Sequence, residues 1–496
     1  MDYQDAHSTT GPIMPPLRRS ERFETMELPP RTATVGGRTD VLVVGGGPAG
    51  LGAALGAAAA GVKVVLAERY GFLGGNATAA LVMPLMSFHT QRPRPAPPGD
   101  ARLVPGDHGP GEPVIAGALG RLLERLVRRG GAVAPSLDTG YVVPFDPEIF
   151  KSVAFEMLDE AGVSFLLHAF ASDALGSRGV EGAVFETKSG PIAIRAKTVV
   201  DCTGDGDLAA RAGASFEVGR ESDGLAQPMT LMFRVAEFSH EAFASYAREH
   251  PDQWRGVHGL WDLIQKATAK GELQLPREDI LLFRTPNEHE VAVNSSRITR
   301  VLGVDVWDLT YAEWQGRRQM DQIAAFLKRY VPGFEKSYVV QSGVQVGVRE
   351  TRRIIGEYQI TGGDLLSARK FNDVIARGSY PVDIHNPEGK GTVLKRLPPG
   401  EAYDIPLRCL VPQRIENLLV AGRCISGTHE AHSSYRVMPI AMATGQAAGV
   451  CAALAARIGV PARDVPAADV QRELLRQGAD LRHLTPGMKW ADSGAA

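Results

Sequence analysis

The sequence has few cysteines, little net charge and no internal repeat. Four cysteines stand in 496 residues, at 202, 409, 424 and 451. None forms a CxxC pair, so neither a disulfide framework nor a cysteine metal cluster is expected. Lys+Arg 54 against Asp+Glu 56 leave a formal charge of -2. That balance supplies no basic excess to recruit nucleic acid or an anionic membrane. No apolar run precedes residue 40, so no signal peptide is expected, and reduced, buried thiols point to the cytoplasm. One stretch, Val41 to Ala67, is long enough to imitate a membrane span and carries only Lys63 as a charge. Seven glycines interrupt it, placed where a turn and a closely packed helix need them, so it reads as soluble core.

What is there fits roughly two to four domains by length, with 44% hydrophobic and 22% charged residues. Residues 1–38 are polar and proline-containing and read as a flexible arm. From Asp40 the pattern becomes strand, glycine turn, Ala-rich helix and strand. It is predicted to found a discontinuous α/β, Rossmann-like domain over 39–90, 140–215 and 415–460, a parallel sheet with helices on both faces. Residues 91–139 begin with a segment holding seven prolines between 91 and 113, which excludes continuous helix or central strand and suggests a mobile covering of the substrate side, followed by a helix. The change of character over 216–414 predicts an inserted α+β substrate or cap domain, and 461–496 a C-terminal tail.

Gly45, Gly47 and Gly50 form GxGxxG directly after the strand VLVV, with Pro48 and Ala49 opening the helix and Glu68 ending the next strand, followed by Arg69. Gly45 allows the tight turn, Gly47 lets the backbone approach a pyrophosphate, and Gly50 lets helix and strand pack closely. Glu68 is placed to accept hydrogen bonds from an adenosine ribose. Gly74, Gly75, Asn76, Ala77 and Thr78 supply a second donor-rich backbone after that acid, which favours FAD over NAD. Thr203, Gly204 and Asp205 in VVDCTGDGD follow another apolar strand, but Asp205 and Asp207 would repel a second pyrophosphate. The turn is therefore expected to close over the first cofactor, and no separate NAD(P)H domain is expected. Gly422, Arg423, Arg436, Met438 and Gly445 belong to a late strand, turn and helix whose N-terminus suits the negative charge of a reduced flavin. His429, Glu430 and His432 do not match HExxH, so no metal is expected.

The segments VLVVGGGPAGLGAALGAAAAG, AERYGFLGGNAT, VVDCTGDGDLAARAG, GVRETRRIIGEY, YPVDIHNPEGKG and NLLVAGRCISGTHEAHSSYRVMP resemble the family of FAD-dependent oxidoreductases with a glutathione-reductase-type fold, the two-dinucleotide-binding-domain flavoproteins. That family is more distantly related to fumarate reductase flavoproteins and to the flavin subunit of heterodisulfide reductase. The resemblance covers most of residues 40–460 and implies FAD and oxidoreductase chemistry, with no particular substrate. The chain departs from the disulfide relatives in lacking CxxC, and from the heterodisulfide relatives in lacking iron–sulfur cysteine sets.

The resemblance brings His385, His429, His432, Tyr435 and Arg436 toward the flavin face as catalytic candidates, a His as base and Arg436 as electrostatic partner. The plainer reading of Arg436 is a pair with Glu430. Arg349, Arg352 and Arg353 are either salt-bridged to Glu350 and Glu357 or anion-binding, and Gln227, Pro228 and Met229 are expected either in a strand of the substrate wall or, equally, in the core. The expected activity is hydride transfer from a small organic substrate to FAD. The electron acceptor stays open, oxygen among the candidates, as does homo-oligomer formation. The alternative is a flavoprotein that relays electrons to a protein partner or holds FAD structurally.

Overall fold

The computed structural model describes residues 25–92, 96–105, 111–177, 179–389 and 391–481. Apolar β-branched runs give the first two strands, β1 (Thr34–Val44) and β2 (Val64–Ala67), which lie parallel with Val41 opposite Val64. Helix α1 (Pro48–Ala59) crosses between them. The later helices α2 (Ala118–Arg128) and α3 (Pro147–Glu160) lead into β3 (Ser164–Leu166), which is parallel to β2. Strands β4 (Phe170–Leu175) and β5 (Gly182–Thr187) form an antiparallel ribbon that turns into β6 (Gly190–Asp201), itself parallel to β1. The order is β3-β2-β1-β6-β5-β4, and Leu418–Val420 adds a seventh strand parallel to the end of β6. The parallel strands therefore bring the glycine turn after β1, Glu68 after β2, the TGDGD turn after β6 and Gly422 to one edge, the carboxyl ends of the strands where open α/β sheets bind ligands.

One contact fixes the helix layer. Helix α1 and the helix Met438–Ile458 touch backbone to backbone: a Cβ on Gly52 would lie 2.2 Å from the Met442 carbonyl oxygen, and one on Gly449 2.0 Å from that of Ala53. This is why the late helix is rich in small residues. It is the one described helix long and apolar enough to cross a membrane, and 89% of that window is buried within the fold.

Between β6 and Leu418 the chain builds a second layer, a six-stranded antiparallel sheet in the order Tyr338–Ser342, Phe233–Ala236, Glu290–Val293, Ile280–Arg284, His258–Gly259, Trp254–Arg255. Ile323, Phe326 and Leu327 of the helix Val306–Tyr330 join Phe233, Phe243 and Trp254 in its own core. The hairpin Val382–His385 with Thr392–Lys395 reaches back toward the first sheet, where the Asp383 N–H donates to Ser433 Oγ.

Three segments differ from expectation. Thr34 to Thr39, read as arm and its border, form a strand against Ile192 to Ala196 of β6; their partner is distant in sequence, so no local pattern announces it. Residues 1–24 lie outside the described residues. In the Pro-rich segment, the described residues 96–105 are bonded to the cap and line neither of the cavities described below. Gly99 N–H donates to the Trp254 carbonyl, Arg284 N–H to that of Leu103, and Ala101 and Leu103 join the cap core. Residues 93–95 and 106–110 lie outside the described residues. Beyond 460, Ala467–Arg476 is a helix that buries Val470 and Leu474 rather than a tail; 482–496 are outside.

Candidate active site

A cleft of about 1030 Å³, counted to its mouth, runs along the carboxyl ends of the parallel strands. Of the residues expected to bind the cofactor, Gly45, Gly47, Pro48, Ala49, Glu68, Arg69, Gly75 and Asn76 line it on the β1–β2 side. Thr203, Gly204, Asp205, Gly422, Arg423, Arg436 and Met438 line it on the other. Gly50, Gly74, Ala77, Thr78 and Gly445 do not line it. They act one layer behind: a Cβ on Gly50 would meet the Gly45 carbonyl oxygen at 1.8 Å, one on Gly445 that of Ala49 at 2.0 Å, and Thr78 Oγ1 donates to the Leu73 carbonyl at 2.6 Å.

Gly47 is different. Its backbone, φ -72° and ψ -173°, suits any residue, and a Cβ there would meet only Gly75 Cα at 3.6 Å. Protein packing therefore does not demand glycine at 47; the space beside it belongs to the cleft. Helix α1 starts at that point with no side-chain cap, leaving its first N–H groups for an anion. Glu68 accepts the Gly46 N–H at 2.6 Å and the Tyr70 N–H at 3.0 Å, so it ties the glycine loop to β2 while its remaining lone pairs face the cleft. Burial pushes its carboxyl above the ordinary range. The uncapped helix start and the free lone pairs of Glu68 have the chemistry that the diphosphate and a ribose of FAD require.

The TGDGD turn is held by Asp201, a buried acid that motif reading passed over. Its carboxylate accepts from Thr203 N–H at 2.9 Å, Thr203 Oγ1 at 2.7 Å and Ala209 N–H at 2.8 Å, and burial pushes its pKa up to about 6. Asp205, in the turn expected to close over the cofactor, accepts from Arg423 and from Thr351 Oγ1 at 2.8 Å. Arg423 also donates to the Gly204 carbonyl at 3.0 Å and to that of Val348, so one guanidinium locks the turn to the cap segment. Ala169, Phe170, Ala171 and Gln345 also line the cleft. They were not legible as site residues because the sheet and the cap bring them there from far along the chain.

A second cavity of about 1000 Å³ opens between the sheet's edge and the cap. Asn76, Val348, Arg423, Arg436 and Met438 line both spaces, so the two meet there. Met83, Met86, Met232, Leu281 and Phe283 give it apolar walls, and Asn294, Thr230, Arg349, Tyr380, Asp383 and His385 its polar points. The expected wall residues Gln227, Pro228 and Met229 do not line it; Thr230 and Met232 do.

The catalytic candidates separate cleanly. His385 and Arg436 line the second cavity, whereas His429, His432 and Tyr435 line neither. His429 Nδ1 lies 2.8 Å from Glu350 Oε1, and the Tyr435 hydroxyl donates to the Ile425 carbonyl at 3.0 Å. His432 is fully buried with, among the described residues, no hydrogen-bond partner for either ring nitrogen, and burial with nearby Arg353 and Arg436 keeps it neutral. The sequence could not separate them, since all three sit within seven residues of Arg436 on one short helix, His429–Tyr435, and the helix turns them inward.

Arg436 pairs with Asp383, Nη2 to Oδ2 at 3.9 Å; Glu430 is taken by Lys395 at 2.6 Å, so the simple Arg436–Glu430 pair is replaced. Asp383 also receives the Tyr380 hydroxyl at 2.8 Å and lies 3.5 Å from His385 Nε2. Against the effect of burial, His385, Arg436 and Tyr380 hold its carboxyl well below the usual range. Burial, with Arg349 and Arg436 nearby, pushes His385 down to about 4, so its imidazole is neutral at pH 7. Arg297 Nη2 stands 3.3 Å from His385 Nδ1 and can only donate, which places the ring proton on Nε2, toward Asp383. Of the three clustered arginines, Arg352 pairs with Asp207 at 2.8 Å and Arg353 with Glu350, while Glu357 is met by Arg463.

The sequence model of the family described as FAD dependent oxidoreductase matches residues 40–474. No curated protein matches the chain. Among solved structures it is similar to a geranylgeranyl bacteriochlorophyll reductase-like protein from Thermoplasma acidophilum, with 16% identity over 90% of this chain and 86% of that one and a TM-score of 0.42. It is also similar to p-nitrophenol 4-monooxygenase PnpA from Pseudomonas putida DLL-E4, with 15% identity, 66% and 70% covered and a TM-score of 0.38. A third is the flavin-dependent brominase Bmp2, with 13% identity, 89% and 84% covered and a TM-score of 0.43. The family match, which spans most of the 496 residues, is the one that identifies the chain: it belongs to the FAD-dependent oxidoreductase family, and its cofactor is FAD.

Proposed function

We propose that the chain oxidises a small organic substrate held in the second cavity. The observation that supports this is the meeting of that cavity with the cofactor cleft at Asn76, Val348, Arg423, Arg436 and Met438. FAD, when bound, would supply the two-electron chemistry of substrate oxidation, with oxygen or another acceptor as the final electron sink. The chain's own residues do the rest. Arg436 and the uncapped N-terminus of the helix Met438–Ile458 put positive charge where negative charge develops. Asp383 is the ionised carboxylate facing the substrate, and the Nε2–H of His385 orients it, which makes His385 a positioning residue. The apolar walls exclude water. Four buried, unpaired cysteines support a cytoplasmic setting.

Anaerobic addition of small metabolites to the holoprotein tests this reading by bleaching of the flavin's visible bands. At least one small molecule is expected to bleach them without any protein present. Flavin that stays oxidised until a protein partner is added would instead favour the electron-relay reading. In the same assay NADH and NADPH are expected to act slowly or not at all. The sequence has one dinucleotide fingerprint, and its TGDGD turn is acidic. Rapid bleaching by low NADPH would contradict that expectation.

A further inference from the structure

Arg349 lines the second cavity and not the first. Its guanidinium donates to the Pro228 carbonyl at 2.7 Å and to Thr230 Oγ1 at 2.5 Å, both neutral acceptors. Among the described residues no carboxylate pairs with it. Its neighbours on the cavity side are also cationic: Arg436 lies in the same wall, and Arg297 stands behind His385. The one carboxylate in that wall, Asp383, is already shared by Arg436, His385 and Tyr380. Burial and the charges of Arg436 and Arg297 push the Arg349 guanidinium down to about 9, against the opposing pull of Asp383. Arg349 is a half-buried cation held by neutral acceptors, an arrangement that an anionic ligand would complete.

We propose that the second cavity selects a small organic carboxylate with an apolar body, and that Arg349 is the residue that binds its carboxylate. This rests on the reading that the second cavity holds the substrate. The forked guanidinium offers donors that its contacts with Pro228 and Thr230 leave free, and the methionine and phenylalanine walls take the apolar remainder. Arg352 and Arg353, three and four residues further on, cannot do this because each already has its acid.

The test uses the FAD-loaded full chain and two matched pairs of probes, acetate with acetamide and phenylacetate with phenylacetamide. Binding is read by calorimetry and by the shift of the flavin's visible bands. At least one carboxylate should bind about tenfold or more tightly than its amide. Arg349→Met should abolish that preference at unchanged FAD content, and Arg349→Lys should keep part of it. Equal affinity for acid and amide in both pairs would overturn the proposal, as would a preference that survives Arg349→Met. If Arg349→Met fails to fold, the full wild-type preference in Arg349→Lys would count against the fork. Arg349-dependent binding with no effect on the flavin bands and no bleaching by any small molecule would uphold the anion site and overturn the oxidation reading. Bleaching of Arg349→Met at the wild-type rate by a neutral molecule would do the reverse.

Discussion

Purified Gly47→Glu should be colourless, with FAD affinity down by about 100-fold or more, while the same chain carrying Gly47→Ala folds normally. The two substitutions separate protein packing from ligand packing. At 47 the backbone lies in a region open to every residue, and a methyl would meet nothing closer than Gly75 Cα at 3.6 Å. Alanine there costs the apoprotein little, so whatever FAD affinity it loses reflects crowding of the diphosphate. Glutamate adds a carboxylate to that crowding and sets like charge against the phosphates. Gly50→Ala is the control with the opposite logic, since its Cβ would lie 1.8 Å from the Gly45 carbonyl oxygen and disturb the loop with or without cofactor. FAD content and the melting temperature of apoprotein, measured side by side, check the pair. Stoichiometric FAD in Gly47→Glu would remove the diphosphate from this turn.

Arg436→Ala should slow flavin reduction by roughly 100-fold, the cost of one preorganised positive group facing developing charge, about 3 kcal/mol. FAD content should be nearly unchanged, because the cleft keeps the glycine loop, Glu68 and the Arg423-locked turn. The pair with Asp383 is long at 3.9 Å, and Tyr380 and His385 still hold that carboxylate, so the fold loses little. Arg436→Lys should recover only part of the rate, since a point charge does not reproduce a planar fork. The rate per bound flavin is the deciding quantity. A normal rate per flavin, with lowered melting temperature, would make Arg436 a structural residue.

The parts of the site that the sequence announced are the local ones. The run from β1 through Gly45 and Gly47 to α1 and Glu68 is contiguous, and each element's pattern states its own geometry. Arg436 was legible because a proline at 439 marks the start of the helix it precedes. What was not legible depends on distant pairing. The choice among His385, His429, His432 and Tyr435 turns on which way a seven-residue helix and a hairpin face, and periodicity over so few residues does not encode it. Asp201 ends an apolar strand and carries no motif signal of its own, yet it is the buried acid that shapes the turn. Arg349 stood in a cluster with Arg352 and Arg353 that invited one shared explanation. The fold gives two of them carboxylates and leaves the third facing the cavity. The described residues 96–105 of the proline-dense segment hold no helix or strand, as their composition required, but composition does not say what an irregular segment rests on. Ala101 and Leu103 rest in the cap core.

If electrons enter the flavin from a small molecule seated in the second cavity, filling that cavity stops reduction. Asn294 lines the second cavity and not the cofactor cleft, so Asn294→Trp places an indole in the substrate space while leaving the cradle of FAD intact. In anaerobic stopped-flow with a small molecule that bleaches the wild-type flavin, the variant should carry FAD at wild-type stoichiometry and fail to be bleached. Bleaching of Asn294→Trp at the wild-type rate per bound flavin would contradict the account.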